Sequence, residues 1–529
     1  MNFIRIAVPY LYQIGLLLMA MALPFSNFAM SFASFWILGA WVIDQLVSDY
    51  QTRKFRWSRA LGNPVFWLLT GIFLIHVVGL VYTRDWTYAL RDVRIKLPLI
   101  LFPVVFFTGQ LIEGKVFRRM LVVFVLACAA AALYCLLIPL GLVDREIKNV
   151  RDISVFISHI RFSMLLVLST TVLLLWISEH RLIILSIVVM ALNISFLWVI
   201  ESMTGVLLLC AVLFLFLVST EASVLRKTQR RVLRVAVPLL FLGAGAYITK
   251  LAFDYFELPV NHKEGLQTHS ALGSPYEHHL ENTLRENGHF IWRNIARDEL
   301  AAAWPERSHL PLDSADARGH QVYSTLLRYM TSLGLPKDAE GLSQLTTHDI
   351  ANIEAGMPTV LEMEHSGLRR RLDKIFFEIA LLQNGGNPSG NSVTQRIEFW
   401  RAAWHVIEQK PLLGVGTGDV KSAMDDAYIT IDSRLYAEFR LRAHNQYLTF
   451  WMAFGVFGML LLMATLFIPF GVPVTERGFL FAAFCVIVAL SYLTEDTLET
   501  QAGVTMVAFF SALFAAQRLA FHARIRSAT

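Results

Sequence analysis

Cations and imidazoles gather at the ends of apolar runs in this chain. Arg440, Arg442 and His444, followed by Asn445, lead straight into "QYLTFWMAFGVFGML". His159 and Arg161, with Arg145, Lys148 and Arg151 upstream, precede another apolar stretch, and Arg84, Arg91, Arg94 and Lys96 precede a third. Arg396 heads "RIEFWRAAW". A guanidinium stays charged and its planar fork binds two phosphate oxygens at once. An imidazole can take a proton from a hydroxyl near neutral pH. Together these groups suit transfer chemistry on an anionic, phosphate-bearing substrate at a membrane surface. The plainer reading is that each cation snorkels to the interface or pairs with Asp85, Asp92, Asp144 or Asp152. What separates the two readings is whether the helix ends converge.

The elements that position these residues are helices in lipid. The chain has 529 residues, of which 55% are hydrophobic and only 16% charged, with mean hydropathy +0.52. An ordinary soluble domain carries about a quarter charged residues. Runs of roughly 18 or more apolar residues recur, enough to cross a hydrocarbon core of about 30 Å as helix. Helices are required because lipid offers no partner for backbone N–H groups. The expected fold is an all-α polytopic membrane protein. Its twelve spans fall near 6–25, 28–47, 64–82, 96–110, 118–140, 161–178, 182–200, 202–219, 232–250, 445–469, 477–494 and 501–520. The N-terminal stretch reads as a first span and not as a cleaved signal.

Lysine and arginine bias orients the spans. Arg53, Lys54, Arg56 and Arg59, then Arg226 to Arg234, then Arg518, Arg524 and Arg526 all fall on one side if both termini are cytoplasmic. The large hydrophilic segment then lies on the outer side. The domains read as 1–250 (spans one to nine), 251–443 (the outer segment) and 444–529 (spans ten to twelve and a cytoplasmic tail). Within the outer segment, 318–333, 347–355 and 362–383 read as helical, with a capping box at Thr346 and Asp349. Ile397, Trp400, Trp404 and Ile407 follow helical spacing and read as one apolar stripe. Glu398, Arg401, His405 and Glu408 then form its solvated face. Pro411 ends that helix, and Gly414, Gly416 and Gly418 read as a flexible turn. Glu495, Asp496 and Glu499 form an acidic turn on the outer side, read as solvated, with binding of a cation or an acceptor as the alternative. Cys128, Cys135, Cys210 and Cys485 all lie in apolar runs and staple no loop. No metal-ligand constellation, cofactor motif or nucleotide-binding loop is read, and nothing calls for nucleic acid.

Three stretches together resemble the O-antigen ligase/polymerase superfamily. They are the Arg396-headed helix with "PLLGVGTGD", "AHNQYL" at the head of a late span, and "SHIRFS" at an earlier helix end. "YSTLLRYMTSLGLPKDAEG", "QRIEFWRAAW" and "EDTLETQAGV" are similar to the branch found in Bacteroidetes-type bacteria. The resemblance implies a GT-C-type glycosyltransferase of the bacterial inner membrane with its large loop in the periplasm. It implies transfer of a glycan from undecaprenyl diphosphate to an acceptor, lipid A–core in ligases, another glycan in polymerases, or protein in O-oligosaccharyltransferases. It implies a metal-independent reaction with Arg396 and His444 as the catalytic pair. Met203 stands where the family commonly has a further arginine, and Arg161 is the substitute candidate. Arg161, His159, Arg94, Arg442 and Asn445 are the expected substrate-binding residues.

From another class, a transporter of the same lipid-linked glycans would also want many spans and cations. Transporters, however, hold their polar groups near the midplane. Here they gather at the rim.

Overall fold

The computed structural model describes residues 2–145, 147, 150–219, 227–258, 266–365, 367–468 and 476–528. Lys148 and Arg226, both used above, lie outside the described residues. The chain divides into two compact units. One comprises 1–238, 396–433 and 440–529, and the other 239–395 and 434–439. The hydrophilic stretch 251–443 is therefore shared between them.

The first unit is built of apolar helices, and a helix lies at each expected span. They begin with α1 (Asn2–Ala22), α2 (Asn27–Val47), the polar α3 (Tyr50–Leu61), α4 (Pro64–Val78) and the amphipathic α5 (Trp86–Lys96). Next come α6 (Pro98–Thr108), α7 (Gly114–Leu137), α8 (His159–Ser178), α9 (Ile183–Val199), α10 (Met203–Val218) and α11 (Lys227–Phe256), of which only the part up to Pro238 belongs to this unit. Among the described residues, seven helices are long and apolar enough to cross a bilayer, and four more are apolar but shorter. The fold is an all-α polytopic membrane protein. The fourth expected span, 96–110, holds the eleven-residue α6. The reason is local. Pro98 starts a new helix, and the residues before it form α5, which buries Lys96.

The second unit carries its own core around Trp304, Leu326, Tyr329, Met330 and Ile353. Its helices are α12 (Arg297–Ala303), α13 (Val322–Ser332), α14 (Ala339–Ser343), α15 (Thr347–Glu354), α16 (Leu361–Glu364) and α17 (Gly367–Gln383). A two-residue hairpin, β1 (Arg285–Glu286) and β2 (His289–Phe290), joins them. The capping box at Thr346 and Asp349 forms with both reciprocal bonds.

Then follow α18 (Thr394–Gln409), α19 (Val420–Thr430), α20 (Gln446–Phe467), α21 (Glu476–Ser491) and α22 (Gln501–Ala528). α20 packs on α4, α21 on α22, α8 and α10, and α22 on α6. α20 is broken at Gly455, where φ is 65°. The gap is filled by backbone from 411–416. Val456 N donates to Pro411 O (2.9 Å), Val415 N to Met452 O (2.8 Å) and Gly416 N to Ala453 O (2.9 Å). The glycine turn is thus a buried, backbone-paired insert and not the flexible turn expected from composition. Gly414 sits at φ 71°, against the Met452 and Ala453 carbonyls, where any Cβ would collide.

The apolar stripe on α18 also differs from expectation. The buried face is Phe399, Ala402, Ala403, Val406 and Ile407. Ile397, Trp400 and Trp404 are 41%, 39% and 48% exposed and face outward. Glu398, placed on the solvated face by its spacing, is buried, accepting from Ser433 Oγ at 2.7 Å and pairing with Arg401. Two alanines let α18 approach its neighbours closely on one side. On the other, lipid can bathe an apolar surface that water would penalise.

Candidate active site at the Glu495 turn

The turn between α21 and α22 carries Glu495, Asp496 and Glu499, and all three are packed among basic partners. Glu495 and Asp496 are 6% and 5% exposed. The solvated acidic turn expected from sequence is instead the centre of a buried polar network. Three carboxylates can be buried only where cations and N–H groups meet them.

Asp496 grips the head of α20. Its two oxygens accept the backbone N–H of His444 (3.0 Å) and of Asn445 (3.1 Å), and Thr449 Oγ1 adds a third bond at 2.8 Å. That grip holds His444 at φ 47°, a left-handed conformation disfavoured for a side chain with a Cβ. Burial, then the negative charge of Glu499, push the Asp496 carboxyl above its usual range, against His444, Thr449 and Arg442.

Asn445 is the N-cap. Its Oδ1 accepts from Tyr447 N (3.1 Å) and Leu448 N (3.2 Å), and its Nδ2 donates to Leu493 O at 3.2 Å. Both ends of the amide are therefore committed to holding α20 against α21. Gln446 continues the clasp, accepting from Leu498 N at 2.7 Å and donating to Glu499 at 3.1 Å.

Glu495 is where the expected catalytic pair meets. Arg396 Nη2 lies 3.1 Å from Glu495 Oε1, and His444 Nδ1 lies 3.7 Å from Oε2. Arg396 and His444 are 48 positions apart in sequence and belong to α18 and the head of α20. One carboxylate faces both. Phe399, three residues after Arg396 on α18, stacks on the His444 ring with centroids 5.6 Å apart and planes 28° apart. Trp400 Nε1 donates to Ala443 O at 3.0 Å and ties α18 to the same strand. Burial raises the Glu495 carboxyl. Attraction from His444, then Arg396 and Arg161, outweighs that and holds it below the usual carboxylate range.

Arg161 stands in the first turn of α8, and its charge reaches both Glu495 and Asp496. Its Nε is buried and makes no hydrogen bond among the described residues. Two residues on, Ser163 Oγ lies 2.9 Å from Ser202 Oγ, and Ser202 caps α10 just before Met203. His159 lies within reach of the charges of Arg151, Glu495, Arg161 and Arg396.

The remaining expected residues divide. Arg442 is held at a neighbouring centre, with Nη1 3.5 Å from Glu499 and Nη2 donating to Tyr88 Oη at 2.7 Å. Lys96, fully buried, bridges Glu499 (3.0 Å) and Asp92 (2.6 Å). Lys96 and Arg442 keep the Glu499 carboxyl well below its usual range despite burial. Arg94 is exposed on α5 and makes no ion pair with the turn among the described residues. The structure thus brings together Arg396, His444, Arg161 and His159 around Glu495, ties Arg442 to Glu499 next door, gives Asn445 a capping task and leaves Arg94 apart. Phe399 was not expected at the site, and Glu495 was weighed only as a ligand for a cation or an acceptor, not as the partner of Arg396 and His444. Glu495 had a signal in the sequence, three acids within five residues between two apolar runs, but not a partner.

Two guanidinium groups, Arg396 and Arg161, beside an imidazole whose ring nitrogen faces a carboxylate can hold an anionic leaving group and move a proton. No curated protein matches the chain. Residues 354–463, which take in α18, the glycine insert and most of α20 with His444 at its head, are similar to the family whose model is described as O-Antigen ligase.

Proposed function

We propose that this protein transfers a glycan from undecaprenyl diphosphate to an acceptor at the periplasmic face of the bacterial inner membrane, with lipid A–core as the acceptor. The observation that carries the reading is the meeting of Arg396 and His444 on one buried carboxylate, Glu495, within reach of Arg161. The donor's diphosphate lies against Arg396 and Arg161, whose forks receive its charge as it leaves. His444 takes the proton of the acceptor hydroxyl on its Nε2 while Nδ1 faces Glu495. The hydroxyl oxygen then bonds to the anomeric carbon. The bond from that carbon to the diphosphate oxygen breaks, and its electron pair leaves with the diphosphate. Positive charge at the site comes from the arginines, so the reaction is metal-independent in this scheme.

The broken helix α20 is a feature transporters also use, to line a substrate site with free backbone groups. Here those groups are taken by residues 411–416, which favours the transferase reading. The test is a deletion strain compared with its parent for lipid-linked glycan, core-linked glycan, polymer length and glycoprotein. Loss of core-linked glycan with accumulation of the lipid-linked donor is expected. Shortened polymer with intact ligation would make the protein a polymerase, and lost glycoprotein an O-oligosaccharyltransferase. An unchanged pool of lipid-linked donor would overturn the reading.

A further inference from the structure

We propose that the exposed face of α5 docks the phosphate-bearing head of the acceptor glycolipid. The proposal rests on the reading of the acceptor as lipid A–core and adds the surface that holds it.

α5 joins α4 to α6, two apolar helices, so it lies where both reach the membrane surface. Its sides carry different chemistry. Ala89, Asp92 and Lys96 are buried. That side meets the acidic turn, with Lys96 Nζ 3.0 Å from Glu499, and Tyr88 Oη accepts from Arg442 at 2.7 Å. Trp86, Leu90 and Leu97 share a second side by helical spacing, and all three are exposed. Arg91 and Arg94, three residues apart, lie together beside that apolar strip, and both are exposed. Arg84 is exposed just before the helix. An apolar strip flanked by a basic one is the pattern of a helix lying in the membrane interface.

These arginines are uncommitted. Among the described residues, the guanidinium groups of Arg84, Arg91 and Arg94 make no ion pair and no hydrogen bond. The acids on and beside the helix are taken elsewhere. Asp85 caps α5 by accepting Tyr88 N at 2.9 Å, and Lys96 holds Asp92. Asp419 accepts the backbone N–H groups of Arg84 and Asp85. Three cations on one exposed face thus lack a counter-charge from the protein, and their planar forks suit phosphate oxygens.

Extent and place identify the occupant. Trp86 to Arg91 alone spans about 8 Å of helix axis, and Arg84 lies beyond Trp86. The strip is long enough to engage two phosphates set apart on one head group, more than an ordinary phospholipid offers. Arg396 and Arg161, on α18 and α8, serve the donor's diphosphate at Glu495. α5 instead meets the site from the side of Glu499 and Arg442, which leaves its outer face to the second substrate.

The test uses the full-length protein in phosphatidylcholine nanodiscs, with Kd measured for bisphosphorylated lipid A, monophosphoryl lipid A and inorganic diphosphate. Arg91→Gln combined with Arg94→Gln is expected to weaken lipid A about tenfold, the loss of one to two charge-assisted contacts. Arg84→Gln should weaken the bisphosphorylated form more than the monophosphoryl form. Inorganic diphosphate, which reports on the Arg396 centre, should bind all variants as it binds wild type, and this shows that they are folded. Unchanged lipid A binding in the double variant would overturn the proposal. So would displacement of lipid A by an equal amount of phosphatidylglycerol, which would make α5 a surface for anionic lipid at large. Wild-type protein that binds inorganic diphosphate but no lipid A would instead overturn the lipid A–core reading on which the proposal rests.

Discussion

Glu495→Gln is the substitution that separates the chemistry from the scaffold. Gln keeps the volume and one acceptor oxygen, so the turn keeps its shape, but the charge facing Arg396 and His444 is lost. When His444 takes a proton, a positive charge forms 3.7 Å from the Glu495 carboxylate. Two unit charges at that separation attract by about 4 kcal/mol at an effective dielectric near 20. The His444 side chain is 33% exposed, so water screens about half of this and leaves ~2 kcal/mol of transition-state stabilisation. That corresponds to a kcat lower by roughly 30-fold. Donor binding should move the other way. The diphosphate no longer meets a nearby carboxylate, so KM for the donor stays level or falls. The assay is transfer from a purified lipid-linked glycan in proteoliposomes, with donor and acceptor varied in turn. A Gln variant within threefold of the wild-type kcat would refute the orienting role. A rise in donor KM matching the loss of kcat would show only a damaged fold.

Arg396→Lys should restore little of the transfer lost in Arg396→Ala, because an ammonium cannot make the two-oxygen contact; full transfer in the Lys variant, by the same assay, would reduce its role to simple charge. Glu495 is held below the usual carboxylate range, so its stabilising contribution is fully present above about pH 4.3 and is lost as pH falls through the depressed native value. The difference in melting temperature between wild type and Glu495→Gln in detergent should therefore be flat from about pH 7 to 5 and close only in stronger acid; closure already at pH 6 would count against the ion pairs. Transfer should survive EDTA, since Arg396 and Arg161 supply the positive charge; loss restored by a divalent ion would direct attention to the Glu495 turn.

Hydropathy made the membrane helices legible, because a span declares itself in one continuous apolar run. The convergence of Arg396, His444 and Arg161 was legible only as a question. Their shared partner, Glu495, stands 99 residues from Arg396 and 51 from His444, and no local pattern links them. The acidic turn read as solvated for the same reason: Lys96, which buries Glu499, is 403 residues away. α18 was misread on another ground. Spacing alone cannot tell an apolar face that packs on protein from one that faces lipid, and here the small face of Ala402 and Ala403 is the packed one. The glycines of 414–418 signalled a turn, but their close approach to the carbonyls of α20 depends on the break at Gly455, in a separate element.

The insert at that break bears on how the protein is made. Residues 411–416 leave the ribosome before α20, yet Val456 N and the carbonyls of Met452 and Ala453 find their partners only in that insert. An α20 threaded alone into lipid with its break at Gly455 open would carry unpaired backbone groups in hydrocarbon, each costing several kcal/mol. Met452 O and Val456 N stand four residues apart, so α20 is expected to enter the bilayer as a continuous helix that pairs them with each other, and to open at Gly455 only when residues 411–416 fold back on it.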